Sequence, residues 1–404
     1  MRKLTIYFFV LLFSLVLVPL GEAGKRDPAG TANARCEPIN GLVILTQFPD
    51  IRPSVPGRYA HKRFFEELNA YVQEMSYGRY CVTGKVTQRW YQLPRPVADY
   101  KISPRNLEVD KSRLRRLIGD TLGAVDRDVD FSQYDFVALF LGAKASEYGM
   151  IGLCGYPGML GWQAEGALRT PSGQQVRNGI AIFSYQAHLG TLFHDVAHVI
   201  GGVEGGKRRV PCLYDHDLQA KPSAPTPQAL RQVFLDATIN MGLWDPMSSH
   251  YNDWKLPPPG ISSWTKLRLG WLAPSKVRVV RRGETAEVVL DPLEKGAAAV
   301  LAIRIPLTAD TYYLVENRQA MGFDRYIPGS GVLILFADDR IAECRHGKAP
   351  VRLVNANPNV PQLKGAAFDL GKNERFVDEQ NGVEIRLLGK EGDGYRVRVK
   401  SAGP

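Results

Sequence analysis

The amino-acid sequence predicts an α+β fold in which a mixed unit with a twisted sheet precedes a mainly β unit. Short continuous apolar runs bounded by turn residues are typical of buried strands. Between these runs, apolar residues recur at intervals of three and four, which is typical of helices that pack one face on a sheet. After residue 274 the helical spacing stops, and strand-like runs follow one another, separated by Gly, Pro and Asp.

The first unit, residues 24–274, begins with a polar stretch and then alternates strands with helices. Strands are predicted at residues 42–45, 81–91, 136–141 and 179–183, and helices at residues 58–75 and 114–125. The run at residues 136–141 contains no polar residue, which predicts a central strand that is covered on both faces.

Two further regions complete this division of the chain. Residues 205–239 carry a basic cluster and a stretch rich in Pro, Ser and Ala, which predicts an exposed insertion. The second unit, residues 275–404, ends in a strictly alternating run at residues 395–399. Such alternation predicts a strand with one dry and one wet face.

Residues 1–23 have the composition of a signal peptide. A positive start precedes an almost unbroken apolar run at residues 4–20, and Gly21 and Ala23 offer small residues at the positions that a signal peptidase reads. No other segment is apolar and long enough to span a membrane. We therefore expect a secreted or periplasmic protein whose mature chain starts near Gly24.

Composition excludes several classes of protein. The chain has 404 residues, of which 45% are hydrophobic and 23% charged, an ordinary globular composition. The net charge of +10 is spread along the chain and forms no basic stripe interleaved with aromatic residues, so we expect no nucleic-acid partner. We also expect a monomer. Five cysteines leave at least one that is free or bonded elsewhere. They are Cys36, Cys81, Cys154, Cys212 and Cys344.

Two histidines four positions apart, His194 and His198, define the candidate site. On a helix this spacing places both imidazoles on one face, where they can take two positions around a tetrahedral zinc ion. In the HExxH form of this device a Glu is the general base, whereas this chain has Asp195. Gly201 would let the helix end, and Glu204 would follow as a third ligand. The spacing matches the extended metzincin pattern, although HxxxH also occurs where histidines only satisfy local hydrogen bonds.

A methionine turn beneath the metal is the second element of the metzincin pattern. The run from Trp244 to Ser248 has the character of a tight turn, and Met247 could pack its thioether under the ligand histidines. Tyr251 is the candidate for stabilising the oxyanion of a peptide-hydrolysis reaction, with His250 as the alternative. Each of these residues could equally be an ordinary core or surface residue.

Three alternating acids, Asp126, Asp128 and Asp130, resemble the start of a calcium loop. Phe131 stands where such a loop has its glycine, and Val137 stands where it has its closing glutamate. We interpret the stretch as a solvated acidic turn and keep Ca²⁺ binding as an alternative.

Further stretches come in an order that is typical of one family. They are residues 65–79, which end in Ser-Tyr-Gly-Arg, and residues 84–94, 194–204, 242–248, 263–271, 312–319 and 328–331. Together they resemble the immune inhibitor A-like family of secreted bacterial zinc metallopeptidases, over most of the mature chain.

The resemblance implies a metzincin-like zinc endopeptidase with one catalytic Zn²⁺ ion, acting on proteins or peptides. His194 and His198 would be metal ligands, and an acidic residue would be the third. Asp195 would deprotonate the zinc-bound water that attacks the peptide carbonyl, while zinc polarises that carbonyl.

The chain departs from the family pattern at the base and at the third ligand. Asp195 is one methylene shorter than Glu, about 1.5 Å less reach, and a misplacement of about 1 Å can lower a rate by ~10²-fold. Counting from His198 gives Glu204 as the third ligand, whereas matching residues 210–215 to the family's Gly-Leu-Pro-Asp-Leu-Tyr-Asp gives Cys212. Asp215 is a further candidate. Helical spacing favours Glu204.

Three hypotheses therefore follow from the sequence. The first is an active secreted zinc endopeptidase, supported by the ligand spacing, the methionine turn and the resemblance. The second is a zinc-binding but catalytically impaired pseudo-peptidase that acts as a protein-binding module, supported by Asp195. The third is a structural protein whose histidines only stabilise a helix.

Overall fold

The computed structural model describes residues 36–103, 108–162, 168–218, 232 and 235–403. The predicted signal peptide lies outside the described residues. Within the described ranges, every helix is too short or too polar to cross a membrane. The predicted α+β fold class is confirmed, because several sheets and a few helices alternate along the chain.

Helices are few and mostly short. A π-helical stretch, Lys62–Leu68, joins the first two α-helices of the chain. The helices are α1 (Gly57–His61), α2 (Asn69–Met75), α3 (Val97–Tyr100), α4 (Lys111–Val125), α5 (Ala145–Tyr148), α6 (Leu189–Gly201) and α7 (Ser263–Arg268).

Strands form two larger sheets, one smaller sheet and one hairpin. Those before residue 274 are β1 (Glu37–Gln47), β2 (Tyr80–Val86), β3 (Tyr91–Gln92), β4 (Phe136–Leu141), β5 (Gly152–Tyr156), β6 (Ile180–Ser184), β7 (Val203–Glu204) and β8 (Lys207–Arg208). Those after it are β9 (Val277–Val279), β10 (Thr285–Leu290), β11 (Ala302–Pro306), β12 (Thr311–Arg318), β13 (Gly331–Asp338), β14 (Val351–Leu353), β15 (Arg375–Asp378), β16 (Val383–Glu391) and β17 (Gly394–Ser401).

The first sheet has the order β2-β1-β4-β6-β5, with β3 also paired to β1. Its strands run parallel except for β5, which pairs antiparallel with β6 at the edge. Every residue of β4 is buried, as its unbroken apolar sequence predicts for a central strand. The amphipathic helix α4 packs on one face, and α6 packs on the other.

Strands after residue 274 form a five-stranded sheet, β14-β13-β12-β11-β9, and a four-stranded sheet, β10-β17-β16-β15. One hydrophobic core lies between these two sheets. The opposite face of the five-stranded sheet contributes Leu314 and Leu335 to the core that contains Phe193 of α6 and Trp264 of α7. The hydrophobic core around α6 is therefore continuous across residue 274.

Arg318, at the end of β12, lies fully buried in this shared region. Its Nε and Nη2 donate to the two oxygens of Asp324 at 2.7 Å each, and Nη1 donates to Glu316 at 3.2 Å. The same guanidinium donates to the carbonyls of Trp244 and Gly260, at 3.1 and 3.0 Å. A residue of the mainly β region thus binds both the methionine-turn segment, at Trp244, and the chain just before α7, at Gly260.

The described residues bear on two sequence expectations about charged stretches. The Pro-, Ser- and Ala-rich part of the predicted exposed insertion lies outside the described residues. Arg208, near the start of that insertion, is only 5% exposed, because its guanidinium pairs with the carboxylate of Glu343. The three alternating acids do not converge: Asp126 accepts from Ser172 and Gln174, Asp128 from Arg89 and Tyr91, and Asp130 from Ser132. Their geometry gives no support for a shared Ca²⁺ ion.

Cys36 and Cys81 form a disulfide, a pairing that sequence alone left open. It joins the start of β1 to β2 and fits a chain that folds in an oxidising compartment. Cys154, Cys212 and Cys344 are buried and free.

Candidate metal centre

Helix α6 carries both histidines and is buried along nearly its whole length. The N–H of Gly190 donates to Nδ1 of His188, which caps the first turn at 3.0 Å. At the other end Gly201 is the last helical residue, and the chain turns at Gly202, whose φ of 68° favours glycine. The helix thus ends at Gly201, as the sequence predicts, and Gly202 makes the turn that follows.

His194 and His198 present their Nε2 atoms to each other at 3.0 Å, and both side chains are 1% exposed. Nδ1 of His194 lies 2.9 Å from the carbonyl of Pro246, and Nδ1 of His198 lies 2.7 Å from that of Val210. A carbonyl can only accept, so each Nδ1 carries a proton, and a neutral ring then has its lone pair on Nε2. Two such lone pairs at this distance repel each other unless a proton or a metal ion lies between them.

Cys212 completes the group. Its Sγ lies 3.5 Å from Nε2 of His194 and 3.3 Å from Nε2 of His198, and the residue is 3% exposed. These three atoms are the one cluster of metal-ligand type that the described residues contain. The N–H of Leu213 donates to the carbonyl of Met247 at 2.8 Å and fixes the chain next to the sulfur.

Glu204, the third ligand that helical spacing favours, is not part of this group. It lies on β7 with 79% of its side chain exposed, and its nearest charged partner is Arg209 at 3.5 Å. The β7–β8 hairpin turns Glu204 outward before the chain returns through Val210 to Cys212. The structure therefore places Cys212, the alternative match, beside the two histidines and places Glu204 away from them.

Asp215, the remaining candidate, is buried but engaged elsewhere. Its Oδ1 accepts from the N–H groups of Asp217 and Leu218, and its Oδ2 accepts from the N–H of Gly347. Its carboxylate therefore serves as a cap for the local chain.

Asp195 lies between α6 and the edge strand β5, and it is 4% exposed. Its Oδ2 is buried and has no hydrogen-bond partner among the described residues. A side chain on Gly152 would place its first carbon 3.0 Å from that oxygen, so glycine leaves the room that the carboxylate occupies. Burial raises the pKa of Asp195 to about 7.

The electrostatics of the ligand group favour a thiolate and a neutral imidazole. Burial by itself raises the pKa of the Cys212 thiol, but the Arg208 guanidinium and the two imidazoles together hold it well below its ordinary value. Burial, together with the charge of Arg208, lowers the pKa of His198 to about 4. Burial by itself lowers the pKa of His194, but the Cys212 sulfur beside it raises this pKa above its ordinary value. A metal requires the thiolate and two neutral imidazoles, so it would displace a proton from His194.

The predicted oxyanion residue, Tyr251, packs against His188 and Trp254, with ring centroids 4.9 and 5.1 Å away, and makes no ring contact with the ligand histidines. Its neighbour His250 does reach the group: the ring centroid lies 4.2 Å from that of His194, and Nδ1 lies 3.1 Å from Oγ1 of Thr191. The alternative residue, His250, is thus the one that the fold brings to the site.

The methionine-turn segment acts mainly through its main chain. Asp245 accepts from the N–H of Met247 at 2.8 Å and from Ser262 and Thr265 of the α7 cap. This buried carboxylate holds the turn so that the Pro246 carbonyl orients His194. The Met247 side chain itself is fully buried in the core.

The fold and the site thus define an α+β protein with a candidate centre of two histidines and one cysteine. No family model and no curated protein matches the chain. One matching solved structure, the crystal structure of metalloproteinase-II from Bacteroides fragilis, has 11% sequence identity, a TM-score of 0.29 and a match over 59% of this chain. The match spans 54% of the other chain, about half its length. A TM-score this low does not establish a shared fold.

Proposed function

We propose that the protein is a zinc-dependent peptidase of the metzincin-like type whose metal ligands are His194, His198 and Cys212. One observation carries the proposal: two Nε2 lone pairs and a sulfur converge within 3.0 to 3.5 Å, with both Nδ1 protons donated to carbonyls. A metal ion bound by all three atoms would account for their convergence.

Zinc is the metal that best fits this donor set. Imidazole nitrogen and thiolate sulfur are its preferred ligands, at about 2.0–2.1 and 2.3 Å. A tetrahedron with those bond lengths has edges of about 3.3 Å between nitrogens and about 3.6 Å between nitrogen and sulfur. The observed separations lie close to these edges. Three protein ligands leave one position free, which is the arrangement of catalytic zinc sites.

When bound, zinc would lower the pKa of a coordinated water and polarise a carbonyl oxygen. The chain's own residues supply the remaining functions. Asp195 offers an oxygen that has no partner among the described residues and can accept a proton. His250, beside His194, is placed to donate to the oxygen of a substrate carbonyl as charge develops there. Because Asp195 is shorter than Glu, we expect slow turnover.

The test uses the chain from Gly24 onward, purified without added metal. We expect about one zinc ion per chain by elemental analysis and slow cleavage of an unfolded protein substrate. A strong chelator should stop the cleavage, and added zinc should restore it. His198→Ala should lose both zinc and cleavage, whereas Asp195→Asn should keep zinc and lose cleavage. A parent chain that cleaves equally well after complete metal removal would contradict the proposal.

A second function, a zinc-holding protein module without hydrolysis, is favoured by the identity of residue 195 and by the near-complete burial of the three ligands. Asp195→Glu separates the two functions, because it restores the longer base without touching a ligand. No cleavage by the parent, together with clear cleavage by Asp195→Glu, would favour the module. Comparable cleavage by both would favour the peptidase.

A further inference from the structure

Arg208 is the residue beside the metal group that neither the sequence motif nor the proposed mechanism uses. It lies on β8, is 5% exposed, and carries its guanidinium next to the sulfur of Cys212, with Nη2 3.6 Å from Sγ. Charged side chains are rarely buried to this extent unless they are paired. The interactions that keep the Arg208 side chain buried therefore have to be identified.

Three contacts fix the plane of the guanidinium. Nε and Nη2 donate to the two oxygens of Glu343, at 2.9 and 2.8 Å, in a bidentate pair. One face lies over the ring of Trp162, with 4.8 Å from the central carbon to the ring centroid. A side chain held by two parallel hydrogen bonds and an aromatic face has little freedom to rotate.

Stability alone does not explain this arrangement. A buried ion pair contributes no more than apolar residues of similar volume, and often less, because both charges lose their water. Nη2 of the guanidinium donates to Glu343 and also lies 3.6 Å from the sulfur of Cys212, so the group that pairs with Glu343 also holds the sulfur. Groups that surround metal ligands orient them and tune their charge, and their removal lowers metal affinity.

We propose that Arg208 is the positioning residue of the metal centre: it fixes the Cys212 sulfur in the place where it faces the two histidines. Glu343 anchors it from the mainly β region after residue 274. This inference rests on the proposed metal site, and it adds that the region beyond residue 274 is needed to complete that site.

The neighbouring residue provides a matched control. Arg209 has the same charge and belongs to the same turn, but 46% of its side chain is exposed, and it pairs with the exposed Glu204 at 3.5 Å. An effect of Arg208 that comes only from net charge or from the local chain would be reproduced at Arg209. An effect that comes from contact with the sulfur would not.

The experiment measures zinc affinity of the full mature chain by competition with a chromophoric chelator, and the absorption spectrum after cobalt substitution. Arg208→Gln should weaken zinc binding by about 10- to 100-fold and shift the sulfur-to-cobalt charge-transfer band. Arg208→Lys, which keeps the charge but not the bidentate pair, should fall between Arg208→Gln and the parent. Glu343→Gln should weaken zinc binding in the same direction, and Arg209→Gln should match the parent in affinity and spectrum.

Parent-like affinity and an unchanged cobalt spectrum in folded Arg208→Gln would overturn the inference. If that variant does not fold, Arg208→Lys and Glu343→Gln decide the question by the same two readouts. The outcome is separable from the proposed peptidase function. Loss of zinc affinity in Arg208→Gln with no cleavage by the parent would retain the inference and reject the peptidase, whereas a parent chain that binds neither zinc nor cobalt would reject both.

Discussion

Two buried groups of ionisable residues lie on either side of the methionine-turn segment, and they differ in how they are satisfied. Around Arg318, all five N–H donors of the guanidinium have acceptors: two carboxylates and two carbonyls. Around His194, two imidazole nitrogens and a sulfur converge, and each of them is an atom that can bind a metal. The first group is satisfied within the protein, whereas the second has the atoms of a candidate metal site.

This difference indicates that the Arg318 group stabilises the fold, whereas the histidine–cysteine group has a proposed function in binding. A closed network such as that of Arg318 holds elements together whether or not a ligand is present, and breaking it leaves uncompensated buried charge. As the proposed metal site, the histidine–cysteine group would contribute its full share to the stability of the folded state only with a metal bound. Variants in the two groups should therefore respond differently to zinc.

The largest effect is expected for Arg318→Met. The substitution leaves Asp324 and Glu316 buried without their cation and should lower the free energy of unfolding by about 3–5 kcal/mol. Chemical denaturation with and without zinc measures it, and the loss should be the same in both conditions. As a control, Arg375→Met, which removes a largely exposed partner of Glu384, should cost at most about 1 kcal/mol. A loss at Arg318 that depends on zinc would remove the distinction between the two groups.

A comparable effect, dependent on pH, is expected at Lys266. Burial, together with the nearby Arg318, lowers the pKa of Lys266 from 10.5 to about 7. Between those values the unfolded chain binds more protons than the folded chain, so the contribution of Lys266 to stability rises with pH. Relative to Lys266→Met, the parent should therefore gain on the order of 4 kcal/mol from pH 7 to pH 10. Equal pH dependence of unfolding in the two chains would contradict this.

A smaller effect is expected from zinc itself. At a free concentration of about 100 times Kd, zinc should raise the free energy of unfolding by ~2.7 kcal/mol. Cys212→Ala should lose this gain, because the sulfur ligand is gone. Cys344→Ala removes another buried free thiol and should keep the gain, although it lowers the baseline stability. Thermal unfolding with added zinc or chelator gives the comparison, and an equal zinc response in both cysteine variants would exclude Cys212 as a ligand.

The smallest effect is expected at Glu204, the ligand that counting along the helix favours. Because its side chain is exposed, Glu204→Ala should change the free energy of unfolding by less than about 0.5 kcal/mol. It should also keep the full zinc-induced gain. Loss of zinc binding in this variant, measured by the same titration, would restore Glu204 as the third ligand.

Sequence periodicity predicts the elements that position the site, but contacts between distant residues decide its composition. Apolar runs and helical spacing locate β1, β4, β6, α4 and α6, because burial of one face or both leaves a direct pattern in the chain. Helical spacing does not predict that a hairpin follows α6. Because of this hairpin, the chain comes back to the two histidines at Cys212 and not at Glu204. A hairpin of two-residue strands leaves little periodic signal.

The burial of Arg208 is also invisible in the sequence, where it stands between two other basic residues and resembles a solvated cluster. Only the approach of Glu343 and Trp162 from separate parts of the chain makes its burial possible. The position of His250, rather than Tyr251, beside His194 has a similar origin. Neighbouring side chains point in different directions, and the local main-chain conformation decides which of them faces α6.

The sequence by itself determined the α+β order of elements, the two histidines on one helical face and the turn around Met247, because each depends on neighbours within a few residues. Tertiary structure alone decided the third atom of the group, the carbonyls that fix both imidazoles and the buried arginine beside the sulfur. The physical reason is that a metal centre needs donor atoms within about 3.6 Å of one another. The chain can bring Pro246, Val210 and Cys212 to α6 at that distance only by folding.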